Sequence, residues 1–242
     1  MTEPRPIWDY FIYNGKSCLD FNVHMQEADY GSAARDIESV EVPGMNGELT
    51  LDNGRFKNRT LKVPAWIVKD FRTSLAAFVS FILQDPGYHR YEDTYHPDIY
   101  MMARYTGPFE PSSVAFNESG KFVLEFDRKP QKWLKSGEIP IPVDDSDTLT
   151  VNNPTAFTAL PLIKVTAGTG TITVNSTAVE LTANNGATII DCEMQECYEG
   201  STNRNGDLEL TTGEFPKLVP GVNTIEVDTD MEIELIPRWW RI

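Results

Sequence analysis

The chain has 242 residues, 40% of them hydrophobic and 24% charged, a composition that supports packed cores and excludes a disordered or low-complexity protein. Its 36 acidic against 21 basic residues leave a formal charge of -15, which argues against binding to a phosphate backbone, because that needs a concentrated basic face. No window approaches the roughly 20 apolar residues of a membrane span, so no membrane partner is expected.

In chain order, Asp9–Tyr13 followed by Asn14-Gly15 reads as an aromatic strand closed by a tight turn, with its return over Cys18–Val23. Residues 27–34 are polar and small, a loop. From Asp36 to Val42 the alternation puts Ile37 on one parity and Val40 and Val42 on the other. The next nine residues, Val42-Pro43-Gly44-Met45-Asn46-Gly47-Glu48-Leu49-Thr50, hold two turn signals between strand-like runs. Pro presets φ and Gly accepts positive φ, so the backbone must reverse there, and a long hairpin arm is expected. Leu51–Phe56, with Asp52-Asn53-Gly54 inside it, reads as a further hairpin turn. Thr60–Val68 is strand-like except at Pro64, where a missing donor predicts an edge or a bulge. Leu75, Phe78, Val79, Phe81 and Ile82 recur at three- and four-residue spacing, predicting a helix over Arg72–Gln84, capped by Thr73 or Ser74 and ended by Asp85-Pro86-Gly87. Its wide apolar stripe should lie on a sheet. Tyr88–Tyr91 and Ile99–Tyr105 read as strands flanking a polar loop, and Lys121–Asp127 alternates with Phe122, Leu124 and Phe126 on a core face.

Ser136-Gly137-Glu138-Ile139-Pro140-Ile141-Pro142 has the composition of a linker and divides the chain into domains 1-135 and 136-242. Beyond it, Leu160–Thr166, Gly170–Asn175, Val179–Leu181 and Thr188–Tyr198 are strand candidates separated by Gly, Asn and Pro, the layout of a β-sandwich. The predicted fold class is therefore mainly β, with one α-helix and an arm in the first domain.

Candidate chemistry is sparse. Cys18, Cys192 and Cys197 are odd in number, and the opening Met1-Thr2-Glu3-Pro4-Arg5-Pro6 lacks a signal-peptide layout, so buried thiols and synthesis in a cytoplasm are expected. His89, His96, Asp93 and Glu92 hold donor types that suit a metal, but no helical pair organises them, and no metal or cofactor is expected. Gly-x-Ser-x-Gly does not occur, and Gly168-Thr169-Gly170 precedes a strand and not a helix N-terminus, which removes a serine hydrolase and a phosphate loop. Asp144-Asp145-Ser146-Asp147 lacks the Gly and distal Glu of an EF-hand loop. Asp191 and Glu193, with Gln195, would share one face of a strand. Parallel neighbours cannot flank a glycosidic bond, so no catalytic residue is assigned, and with Trp240 they form at most a candidate glycan face. Of the Trp239-Trp240 pair, one should pack in a core and the other cover an edge or a subunit contact.

Four segments resemble the distal tail proteins of long-tailed bacteriophages. The first is Val42–Gly47, where that family carries arginine in place of Met45. Next comes Phe126–Trp133, "FDRKPQKW", where cysteine is commoner than Arg128. The others are Asn153–Asn175 and Phe215–Ile242, which are similar to the galectin-like C-terminal domain of those proteins. The resemblance implies a non-enzymatic virion protein at the tail tip. It implies a homo-hexameric ring, in one or two layers, joining the tail tube protein to the tail-tip, baseplate or receptor-binding proteins, with DNA passing through the lumen unbound. It places Val40, Val42, Pro43, Gly44, Asn46, Gly47 and Leu49 in an oligomerisation arm. The alternative it leaves open is a carbohydrate-binding module for host wall polysaccharide.

Overall fold

The computed structural model describes residues 9–144, 148–184 and 186–242. They form two compact units, the first ending at Lys132 and the second running from Trp133 to Arg241. The opening six residues and most of the Asp144–Asp147 cluster lie outside the described residues.

In the first unit the strands are β1 (Phe11–Tyr13), β2 (Lys16–Ser17), β3 (Val23–Met25), β4 (Arg35–Glu41), β5 (Glu48–Phe56), β6 (Arg59–Ile67), β7 (His89–Asp93), β8 (Ile99–Tyr105), β9 (Ser112–Ala115) and β10 (Ser119–Leu134), whose last two residues belong to the second unit. One sheet runs in the order β2-β1-β7-β8-β10-β6-β3, with β9 also pairing with β10. The alternation of β10 buries Phe122, Leu124 and Phe126, as its period of two requires. Helix α1 (Phe71–Leu83) closes that face: Phe78 meets Phe11 at 6.4 Å and Phe122 at 6.0 Å, and Phe11 stacks on Tyr91 at 5.5 Å. Burying such a ring contributes about 3–5 kcal/mol, measured as the cost of truncating it to alanine.

Local expectations gave way at several places. The return of the first hairpin is Lys16–Ser17, and Cys18–Phe21 is a 3-10 turn held by a Ser17–Asp20 capping box. The helix is not capped by Thr73 or Ser74. Its N-cap is Asp70 at φ 50 without a side-chain bond, while the Ser74 hydroxyl donates to the Lys69 carbonyl and accepts from Asn22. Pro64 lies neither on an edge strand nor at a bulge, since it pairs with Val123 of β10. Its carbonyl accepts from Gln26 N at 2.9 Å on the other side, just past the Met25↔Ala65 end of β3. The missing donor thus points where the ladder has already ended.

The second unit contains β11 (Ile141–Val143), β12 (Leu149–Asn153), β13 (Leu162–Ala167), β14 (Gly170–Val174), β15 (Thr177–Leu181), β16 (Thr188–Asp191), β17 (Glu196–Glu199), β18 (Thr202–Asn203), β19 (Leu208–Glu209), β20 (Gly221–Val227), β21 (Glu232–Ile236) and β22 (Trp240–Arg241). Two sheets result, β11-β21-β13-β16-β17-β18 and β12-β20-β14-β15-β19. Ile163, Val165, Ile190, Ile233 and Leu235 of the first share one core with Ile172, Val174, Val179, Leu181 and Ile225 of the second, so the unit is a β-sandwich. Here the expected linker is a structured part of the unit. Lys135–Glu138 is a 3-10 turn, Arg238 N donates to Gly137 O at 2.8 Å, and a Cβ on Gly137 would lie 2.4 Å from Trp239 N. Two prolines and a glycine resemble a spacer in composition, yet Gly137 packs against the Trp239 backbone and Pro142 pairs with Glu234 of β21. Thr188–Tyr198 is likewise not one strand but a hairpin, reversing over Cys192–Gln195 with Gln195 at φ 56.

Candidate assembly surface

The arm is a two-stranded sheet of its own, β4 paired with β5. Opposed residues of an antiparallel pair share a face. Val40↔Leu49 and Glu38↔Leu51 therefore lie on one side, with Val42 continuing it, and Ile37↔Asp52, Ser39↔Thr50 and Glu41↔Glu48 on the other. Val40, Val42, Leu49 and Leu51 are 50%, 39%, 51% and 53% exposed, so one face of the arm is apolar and bare. Its tip is a type II-like turn: Met45 N donates to Val42 O at 3.1 Å, Pro43 occupies the position that its ring favours, and Gly44 has φ +84. Asn46 and Gly47 form a bend, with Gly47 at φ +86.

The base is fastened. Asp36, 6% exposed, accepts Arg55 Nε at 2.7 Å and Lys57 Nζ at 3.1 Å, and those two cations hold its carboxyl below the usual carboxylate range. Arg35 pairs with Asp52 at 2.9 Å and lies over the Phe56 ring, and Lys57 N closes on Ala34 O at 2.8 Å. The expected turn at Asp52-Asn53-Gly54 is absent: β5 continues through it as a bulge opposite Arg35–Ile37, with Gly54 at φ +70. That continuity brings Leu51 onto the apolar face, a residue the turn reading had set aside although its parity with Leu49 was visible. Beyond the base the strands reach roughly 20 Å at about 3.3 Å per residue. A lone hairpin of this kind is marginal in water.

The remaining candidate residues are dispersed. Asp191 is 3% exposed and takes a fork from Arg238, Nη1 at 2.8 Å and Nη2 at 2.9 Å, together with the Glu193 and Met194 N–H groups at 3.0 and 3.1 Å. Burial raises its pKa, but these bonds outweigh it and hold the carboxyl below the usual range. It closes the hairpin turn and does not share an open strand face with Glu193, whose carboxylate is 3.6 Å from Arg238. Trp240 stacks on Phe157 at 4.5 Å and donates to Thr158 O, while Trp239 is buried in the core. His89 faces Asp85 at 3.2 Å, whereas His96 packs on the Tyr30 ring at 4.2 Å beside Asp93, which accepts the Tyr30 hydroxyl. Among the described residues no three His, Cys, Asp or Glu converge as a metal site. All three cysteines are free and buried, and burial pushes Cys18 and Cys192 up to about 12 and Cys197 to about 11. No described helix is long and apolar enough to cross a membrane.

A residue the sequence did not single out as an anchor is Arg128, which is fully buried. Its guanidinium donates to the carbonyls of Gly31 (2.7 Å), Lys129 and Pro130 (3.2 Å each) and Tyr30 (3.4 Å), tying the segment that leads into the arm to β10. A cation at an otherwise apolar strand position was the available signal.

No protein-family model and no curated protein sequence matches this chain. Solved structures do. The protein is similar to the SPP1 Dit protein (gp 19.1), described as a paradigm of the hub adsorption apparatus in phages infecting Gram-positive hosts. That likeness has a TM-score of 0.75 and 15% identity, over 97% of this chain and 99% of that one. It is also similar to chains of the phage p2 baseplate in its activated conformation with strontium and with calcium. These have TM-scores of 0.53 and 0.55 and 8% identity, over 95% of this chain and 98% of theirs. At such identities the likeness is one of fold: the chain has the fold of a phage distal tail protein over nearly its whole length.

Proposed function

We propose that this protein is a structural component of a bacteriophage tail tip, a ring-forming hub between the tail tube and the baseplate or adhesion proteins. The observation that carries it is end-to-end agreement in fold with SPP1 Dit, with no large part of either chain left over. The bare apolar face of the arm supports self-association, because a hairpin that is marginal alone gains stability from a neighbour. Cyclic closure gives every subunit the same heterologous contact, and a hexamer is the stoichiometry the reading favours. At -15 per chain the ring must offset substantial self-repulsion through apolar contact, and a net acidic lumen would let DNA pass without adhering. The role is one of assembly and not of bond-making chemistry. The second unit, as a galectin-like sandwich, would act as a docking platform or spacer.

Native mass spectrometry and light scattering test the reading. A six- or twelve-subunit particle, converted to single folded chains by Val40→Asp with Leu49→Asp, supports it. A wild-type protein that stays a single chain at micromolar concentration across salt overturns it.

A further inference from the structure

The chain contains five Asn-Gly pairs, beginning at Asn14, Asn46, Asn53, Asn185 and Asn205. In such a pair the glycine has no Cβ to keep its backbone nitrogen away from the asparagine carboxamide, and the amide can be lost without an enzyme. The small ring that must close requires an unbound carboxamide, an unbound glycine N–H and an asparagine free to rotate about ψ.

Folding withholds these conditions from four of the pairs. Asn14 lies at φ 47 in the β1–β2 turn, fixed by the Tyr13↔Lys16 pair and by its own N–H on Arg90 O at 3.1 Å. The Gly54 N–H is donated to Asp52 Oδ1 at 2.9 Å, and the Asn53 amide reaches Glu38 at 3.4 Å from within β5. Asn205 accepts the Cys197 N–H through Oδ1 at 2.6 Å in a 3-10 turn. Asn185 lies outside the described residues, but the Gly186 N–H that its loss of amide requires is donated to Asn184 Oδ1 at 2.9 Å.

Asn46 differs on every count. It shares with Gly47 the bend at the arm's tip, both residues exposed, and among the described residues neither its carboxamide nor the Gly47 N–H has a hydrogen-bond partner. Gly47, at φ +86, stands in open space: a Cβ built on it would meet nothing within 4 Å. The nearest ladder pair, Glu41↔Glu48, begins beyond it, so ψ of Asn46 can turn without breaking a strand bond.

We propose that Asn46 is a site of spontaneous deamidation, the one Asn-Gly pair whose native geometry leaves this chemistry open. The Gly47 nitrogen gives its proton to solvent and bonds to Asn46 Cγ. The Cγ–Nδ2 bond then breaks, and Nδ2 leaves as ammonia after taking a proton from solvent, which closes a succinimide. Water opens the ring at either carbonyl. Cleavage at Cγ yields aspartate, and cleavage at the original peptide carbonyl yields isoaspartate, whose main chain runs through the side-chain carbon. One water is consumed and one ammonia released, with no change of oxidation state. Either product places a new carboxylate between Glu41 and Glu48, on a stretch, residues 36–54, that holds no Lys or Arg. Isoaspartate also lengthens the backbone within a tip that Gly44 and Gly47 shape by positive φ. The change is irreversible and records how long the tip has stood uncovered, whatever the assembly state.

Peptide mapping of the full-length protein tests the site. Freshly purified protein and protein incubated in mildly alkaline buffer are digested alongside a sample incubated in urea. Trypsin releases residues 36–55, which hold both Asn46 and Asn53, so the two are compared within one peptide. Fragment-ion sequencing places the gain of about 1 Da as NH2 becomes OH, and it separates aspartate from isoaspartate. In the native protein Asn46 should convert at least about tenfold faster than Asn14, Asn53 and Asn205, because those must first open a hydrogen bond or a turn. In urea the four should react within about threefold of one another, since only local sequence then distinguishes them. Asn46→Gln should remove the signal and leave Tm unchanged, because its longer side chain cannot close the same ring. Incubating the Val40→Asp with Leu49→Asp variant in parallel separates chemistry from assembly: conversion that is slow in wild type but fast there supports the site and shows that neighbouring subunits cover the tip. An Asn46 no faster than the other three in that variant, or the same ranking in urea as in the native protein, overturns the proposal.

Discussion

Replacing Arg128 with methionine sets two large effects against each other. Methionine fills much of the same space and removes a buried charge, whose desolvation pulls the guanidinium pKa down with added repulsion from Arg59. Against that relief, four carbonyls lose their donor. The Gly31 bond at 2.7 Å is strong, those to Lys129 and Pro130 at 3.2 Å are ordinary, and that to Tyr30 at 3.4 Å is weak. Bonds to a charged donor contribute about 1.5–3 kcal/mol each, and a buried carbonyl left unpaired costs about 1–3 kcal/mol. Counting three effective bonds gives a loss of about 5 kcal/mol, reduced by about half through charge relief. A net destabilisation of about 2–3 kcal/mol follows, or roughly 6–12 °C in the Tm of the first unit. Thermal unfolding measures this directly. Hydrogen exchange adds a local readout, since residues 26–34, and with them the arm's root, should lose protection while the second unit keeps its own. A variant equally or more stable, with unchanged exchange there, would show that desolvation dominates and that the guanidinium is no anchor.

Three further outcomes follow from the second unit. Asp191 titrates below its unfolded value of about 4, so the ionised form is the one the fold prefers. Its contribution is complete above that pH and disappears as pH falls through the lower folded value. Asp191→Asn should therefore be less stable than wild type by about 1–3 kcal/mol at pH 7, and the gap in urea midpoints should close below about pH 4. Asn223, fully buried, donates to Val219 O and Gly221 O at 2.9 Å and accepts from Val219 N at 2.8 Å and Asn175 Nδ2 at 2.9 Å. Asn223→Ala should cost about 2–4 kcal/mol by the same denaturation assay, and Asn223→Asp should not rescue it, because carbonyls would then face a carboxylate. Gly137→Ala should lower soluble yield and Tm, as the added methyl meets the Trp239 backbone at 2.4 Å and not a side chain that could swing away; an unchanged Tm would contradict the packing described there.

Much of the fold was written locally. The period-two alternation of Phe122, Leu124 and Phe126, the helical spacing of Phe78 and Ile82, and the Pro43-Gly44 turn each follow from backbone geometry within a few residues, and so the arm and its apolar parity were legible before any contact was known. The pairing of β6 with β10 was not, because it joins residues about 60 positions apart, Pro64 with Val123. Nor could sequence separate a linker from a packed segment at Ser136–Pro142: composition reports flexibility in isolation, while Gly137 is conformationally committed by Trp239, a hundred residues on. The Thr188–Tyr198 hairpin was hidden for a related reason. Its apolar alternation continues unbroken through Cys192 and Met194, while the groups that hold the reversal include Arg238, far along the chain, whose fork grips Asp191.

The sequence by itself settled the helix, the longer alternating strands, the turn at the arm's tip and which side of the arm is greasy, because steric preference and side-chain period are properties of neighbours along the backbone. Tertiary structure alone decided that Arg128 is an anchor, that Asp191 is sealed into a turn, and that Gly137 packs on the Trp239 backbone, because burial and pairing depend on residues that only folding brings together.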